Sequence, residues 1–140
     1  IIGDLKAAGI RASLFIEPDF QMIEAAARAG ADIVELHTGA YCEKALADDA
    51  RETADELDRL TRAAALADAA GLEVHAGHGL TFNTVAGVAR LPEIVELNIG
   101  HFLIGEAIFG GLPSAVRRMR VMMDEARAGA KSSREPARSV

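Results

Sequence analysis

Hydrophobic and polar positions along this chain switch between two periods, and the switch repeats four times. Short β-rich runs occupy Arg11 to Glu17, Asp32 to Leu36, Leu72 to His75 and Ile94 to Ile99, each brief enough to be a strand. Between them the spacing becomes helical. Met22, Ile23, Ala26 and Ala27 recur on one face before Gly30, and an Ala-rich amphipathic stretch runs from Glu52 to Ala70 before Gly71.

Local signals punctuate these elements. Residues Ile1 to Gly9 read as the tail of a helix, Pro18 ends the first strand, and Asp19 caps the next helix. The segment HTGAY after the second strand reads as a loop, and a short helix over Thr84 to Arg90 is broken by Leu91-Pro92. After the fourth strand, Gly100-His101 leads into a short helix over Phe102 to Phe109, followed by a longer one from Pro113 to Ala128. One domain over residues 1–129 is expected, with 130–140 as a disordered tail. The start at Ile1, inside a helix-like segment, raises the expectation that further sequence precedes it.

Each strand is followed by a helix before the next strand, so neighbouring strands should be parallel and joined by right-handed crossovers. The fold class is therefore α/β, with four βα units that make half of a TIM (β/α)₈ barrel. An open doubly wound sheet is the rival, but its G-x-G-x-x-G fingerprint is absent. A half barrel leaves two unpaired edges and an uncovered inner face. Both favour pairing with another copy or with additional sequence.

Composition narrows the function classes. Half the residues are hydrophobic while aromatic residues make up only 4%, which suits small side chains packing helices closely on a sheet. A formal charge of −6 argues against nucleic acid as a partner, because phosphate contacts need clustered Lys and Arg. Local sites for small anions stay open. Cys42 is the single cysteine, so no intrachain disulfide forms and a cytoplasmic location is expected. No apolar stretch reaches the roughly 18 residues of a membrane span.

Chemistry concentrates at the last two strand ends. Gly77 and Gly79 flank His78, and glycine on both sides permits positive φ and brings N–H groups close to a ligand. Gly100-His101 stands at the start of a short helix, where free N–H groups and the helix dipole can hold a phosphate. Barrels of this class place their phosphate sites there. Either segment alone also fits a structural role, but the two at successive strand ends suit a general acid beside an anion cradle.

Glu35 and His37 share a strand face by alternation, and that face is the barrel lumen. A carboxylate there needs a partner, so it is either functional or part of a structural ion pair. Thr38-Gly39 offers a hydroxyl and a close backbone approach, or is a simple turn. Glu17 is a weaker candidate beside the capping residue Asp19. The charges from Arg51 to Arg59 read as a solvated helix face. His75, His78 and His101 lack metal-ligand spacing, so no metal is expected. Cys42, in a polar loop without a neighbouring base, is not expected to act as a nucleophile.

The ordered segments SLFIEPD, ADIVELHTGAY, GLEVHAGHGLTFNTV and IVELNIGHFLIGEAIFGGL resemble the pyridoxine 5′-phosphate synthase family over nearly the whole chain, to about Ala128. The resemblance implies condensation of 1-deoxy-D-xylulose 5-phosphate with 3-amino-2-oxopropyl phosphate, giving pyridoxine 5′-phosphate in vitamin B6 biosynthesis. It implies no organic cofactor and an octameric homo-oligomer. It also implies that His78 is the proton donor, that Glu35 stabilises the transition state, and that Gly79, Gly100 and His101 bind the aminoketone phosphate. This sequence departs from the family pattern at His75, where Asn is usual, at Glu17, where Asp is common, and at Phe82-Asn83. The family's two proton acceptors lie in the first four strands, so this chain alone is expected to be inactive. The alternatives are a non-catalytic half-barrel module that binds phosphorylated ligands and self-associates, and a different barrel enzyme with the same phosphate architecture.

Overall fold

The computed structural model describes residues 1–132. Local chemistry sets the element boundaries. Strand β1 (Ser13–Ile16) gives way to helix α2 (Phe20–Ala29), whose first turn is capped by the Asp19 carboxylate accepting from the N–H groups of Gln21 at 2.9 Å and Met22 at 3.2 Å. Gly30 closes α2 in the left-handed conformation, φ +81°. Helix α1 (Ile2–Ala7) precedes β1, and strand β2 (Ile33–His37) follows α2.

The segment expected to be a loop after β2 is instead helix α3 (Gly39–Leu46). Gly39 alone suggests a turn, yet Tyr41 and Cys42 bury on one face and the helix closes only at Ala47. Asp49 then caps helix α4 (Ala50–Ala69) by accepting from Glu52 N–H at 3.0 Å. Strand β3 (Glu73–Gly77), helix α5 (Val85–Ala89), strand β4 (Ile94–Asn98), helix α6 (His101–Gly110) and helix α7 (Leu112–Ser132) complete the order. Helix α7 passes residue 130, where the tail was expected to begin, because Ala128, Ala130 and Lys131 favour continuing the helix. The rest of that expected tail, 133–140, lies outside the described residues.

Four parallel strands form one sheet in the order β1-β2-β3-β4, the arrangement of a partial (β/α)₈ barrel. Alternation sorts their side chains onto two faces. Val34, Leu36, Val74 and Ala76 point toward the helices and are essentially inaccessible, packed with Ile23, Leu60, Ala64 and Ala67. Alanines at this seam bring α4 close to the sheet, and each fully buried Leu or Val adds roughly 1.5–3 kcal/mol.

The opposite face carries Phe15, Glu35, His37, His75 and Asn98. A register shift between Val74 and His75 leaves Val95 out of step, so Glu96 rather than Val95 pairs with His75. Helices α6 and α7 attach through a second cluster, in which the Phe82 ring meets Phe102 edge-on at 4.8 Å and receives the Arg118 guanidinium at 4.0 Å. Position 82, a departure from the resembled pattern, is thus an anchor between the β3 loop and the last two helices. No helix among the described residues is long and apolar enough to cross a membrane.

Candidate active site

The strands' carboxyl ends meet at one mouth, and a cavity of about 620 Å³ opens there. Its walls include Glu35, His78, Gly79, Gly100 and His101, the five residues singled out from the sequence. Residues 78 and 101, at neighbouring strand ends, therefore line a common space.

How His78 is presented differs in detail from the expectation. Positive φ falls on His78 itself, at +76°, and on Gly79, at +89°, and not on Gly77. For a residue with a Cβ this backbone conformation costs on the order of 1–3 kcal/mol and needs support from its surroundings. Thr38 supplies it. The fully buried Thr38 hydroxyl lies 2.8 Å from the Gly77 carbonyl and 2.7 Å from the His78 carbonyl, and the Thr38 N–H donates to the Gly77 carbonyl at 2.8 Å. The hydroxyl that seemed available to a ligand is thus committed to the backbone beneath His78.

Gly77 matters for space. A Cβ there would lie 2.5 Å from a Glu35 carboxylate oxygen and 2.7 Å from the Asn98 carbonyl. Glu35 lies across that gap, and its carboxylate accepts from Asn98 Nδ2 at 2.8 Å. The half-buried carboxylate is held at the cavity wall by this hydrogen bond. Among the described residues Glu35 forms no ion pair, the structural alternative raised for it.

On the far wall, α6 starts at His101 with Gly100 as its N-cap, one residue earlier than expected. Among the described residues no side chain caps that end. Its first-turn N–H groups and the His101 ring are open to an anion entering the cavity.

Three further residues stand beside this mouth without lining the cavity. The half-buried His37 ring packs edge-on against His78 with centroids 4.8 Å apart, and its Nδ1 lies 2.6 Å from Glu17 Oε1. Arg59 of α4 approaches the other Glu17 oxygen at 3.6 Å. Alternation puts His37 on the correct face, but its bond reaches from the end of β2 to the residue just after β1 and has no signal in either local sequence.

Cys42 is not in a polar loop. It lies buried in α3 against Thr38 and Thr84, and burial pushes its thiol up from the ordinary range, which disfavours the thiolate. His75 sits deeper on the same sheet face with Nε2 2.8 Å from Glu73 and Nδ1 3.5 Å from Glu96, away from the cavity.

The family model described as "Pyridoxal phosphate biosynthesis protein PdxJ" matches residues 1–125. This chain belongs to the PdxJ family. Among curated relatives, the pyridoxine 5′-phosphate synthase of Caulobacter sp. strain K31 is 60% identical over 123 residues, 88% of this chain and 49% of the relative. The synthases of Rhodospirillum rubrum and Cereibacter sphaeroides are 60% and 55% identical over 129 residues, 92% of this chain and 51% of each relative. The chain spans about half the length of the curated relatives it matches. Within the PdxJ fold it therefore represents four βα units and their shared mouth.

Proposed function

We propose that this chain supplies the aminoketone-phosphate half of a pyridoxine 5′-phosphate synthase site, a transferase-class ring closure of 1-deoxy-D-xylulose 5-phosphate with 3-amino-2-oxopropyl phosphate. The observation that carries this reading is the single cavity lined by Glu35, His78, Gly79, Gly100 and His101. Phosphate oxygens accept from the first N–H groups of α6 and from the His101 ring, with the Gly79 backbone approaching from the opposite side. His78, carried on a stiff turn, donates a proton to the departing oxygen. Glu35 presents its carboxylate to the same space and stabilises positive charge developing during ring closure. The proton acceptors implied by the family resemblance come from the other half of the barrel, so the isolated chain binds but does not turn over. Family membership favours a cytoplasmic homo-oligomer acting on small phosphorylated molecules, without nucleic acid or membrane as partner.

Ring closure is assayed with the chain alone and with the chain supplemented by the amino-terminal half of a full-length relative. Binding of 3-amino-2-oxopropyl phosphate by the chain alone, and turnover only in the mixture, are expected. In that mixture His78→Ala lowers turnover by about 10²- to 10⁴-fold, the usual range for losing a general acid. Turnover by the isolated chain near that of a full-length relative, or no binding at all, overturns the reading.

A second reading rests on the open sheet. Strands β1 and β4 each have one unpaired edge, and Phe15 on the inner face is 55% exposed. Two copies pairing there would make a non-catalytic module for phosphorylated ligands. Sedimentation with ligand titration separates the two, since a saturable dimer that never gains turnover from the other half favours the module.

A further inference from the structure

We infer that His37 is a positioning residue for His78, held in place by Glu17, an inference that rests on the synthase reading for the reaction it serves. Four contacts define the ring of His37. Its Nδ1 lies 2.6 Å from Glu17 Oε1, and because a carboxylate only accepts, that nitrogen carries the proton and donates. Gly39 leaves room for the opposite edge, because a Cβ at position 39 would fall 2.6 Å from His37 Nε2. Phe15 packs edge-on at 5.1 Å, and the His78 ring packs edge-on at 4.8 Å.

His78 depends on that neighbour more than on any other side chain. Among the described residues its ring makes no hydrogen bond, and its ring contacts are His37 and, at a looser 6.1 Å, Phe15. Thr38 fixes its backbone but not its side-chain torsions. A proton donor must point at its acceptor, and an imidazole free to rotate at a cavity mouth points many ways. The wall formed by His37 limits that rotation, and Glu17 limits the wall. Arg59, 3.6 Å from the second Glu17 oxygen, keeps the carboxylate turned toward His37. The chain of restraint is thus Arg59, Glu17, His37, His78, running from helix α4 across two strand ends to the loop after β3.

The test uses the full chain labelled at its histidines, with ring nitrogen and ring proton spectra recorded for the unaltered protein and for Glu17→Ala, Glu17→Asp, His37→Ala and His37→Phe. Expected are a single Nδ1–H form for His37 and ring-current-displaced protons for His78 in the unaltered chain. Glu17→Ala and His37→Ala should move the His78 ring protons toward unstructured values. Glu17→Asp should restore part of the displacement, and His37→Phe should restore the packing while lacking the Glu17 bond. Glu17 is half-exposed, so its substitutions leave the fold intact even if His37→Ala does not.

Inorganic phosphate titration is the second measurement. Affinity should stay within about twofold in Glu17→Ala, since the anion cradle on α6 does not touch this residue. In the mixture with the other barrel half, the same substitution should lower kcat by about 10- to 100-fold with KM little changed, the penalty for a misdirected catalytic group. Unchanged His78 resonances in both alanine variants, or loss of phosphate affinity equal to the loss of turnover, would overturn the inference. Absence of phosphate binding in the unaltered chain would instead count against the synthase reading, leaving the spectroscopic result to decide the positioning role.

Discussion

The inner face of β3 divides into two regions built from the same kinds of residue and put to different uses. At its lower end Glu73 is held by Arg11 at 2.8 Å and by His75 at 2.8 Å, while the second nitrogen of His75 faces Glu96. Every charged group there has a protein partner. At the upper end the side chain is reduced to hydrogen at Gly77, His78 follows on a strained turn, and Glu35 leans across the gap toward Asn98. The lower layer is saturated and structural. The upper layer is left partly unsatisfied around a cavity, which is what a binding site requires. The difference lies in space and in unused hydrogen-bonding capacity, not in residue type.

Filling the upper layer is the most severe way to erase the difference. Gly77→Ala forces a methyl group against the Asn98 carbonyl, which belongs to the adjacent strand and cannot swing aside as the Glu35 carboxylate can. A loss of about 1–3 kcal/mol in urea unfolding is expected, together with loss of aminoketone-phosphate binding. Unchanged stability would show that the gap above Glu35 is looser than it looks. Next in size is Thr38→Val, which keeps the shape but removes the hydroxyl beneath His78. It should cost about 1–2 kcal/mol by leaving the His78 carbonyl short of a donor, and amide exchange at residues 77–79 should quicken.

The lower layer is probed by pH. Arg11, then His75, hold the Glu73 carboxylate below its ordinary value of 4.5, and the Ala12 N–H, then Lys6, do the same for Asp32. A depressed folded-state value means that the unfolded chain takes up protons first on acidification. The contribution of these groups is complete above the ordinary carboxylate range and is lost as pH falls through it. Thermal unfolding should therefore be nearly independent of pH between 7 and 5 for these groups and weaken below about 4.5, with Arg11→Ala flattening the decline. An unaltered decline in that variant would separate Glu73 from the acid response. The smallest effect is expected at the outer rim: Arg59→Ala removes two partly exposed ion pairs, to Glu17 at 3.6 Å and to Glu56 at 2.8 Å, each worth at most about 1 kcal/mol, and added salt should hide the change in a melting curve.

Much of this contrast can be read from the sequence and part of it cannot. Asp19, Gly30 and Gly71 mark helix ends by chemistry confined to one or two turns, so those boundaries are visible locally. The pairing of Gly77-His78-Gly79 with Gly100-His101 is visible as well, because both follow strand ends and a parallel sheet brings consecutive strand ends to one side. Helix α3 is hidden from the local sequence because Gly39 signals a turn when seen alone, whereas its bare Cα is needed to clear the His37 ring. The use of Thr38 is hidden for a similar reason. Its hydroxyl reaches carbonyls 39 and 40 positions further along the chain.

Periodicity and strand-helix alternation by themselves determined the α/β class, the parallel order of the four strands, and the end of the sheet where the chemistry gathers, since these depend on repeating local preferences. Tertiary structure alone decided which groups are consumed by the fold and which remain for a ligand. Thr38 and His75 are spent on internal partners, while His78, His101 and Glu35 open onto the cavity. A hydrogen bond across strands depends on register and on the space left by a neighbour's missing side chain, and neither quantity is encoded at the position of the residue that makes the bond.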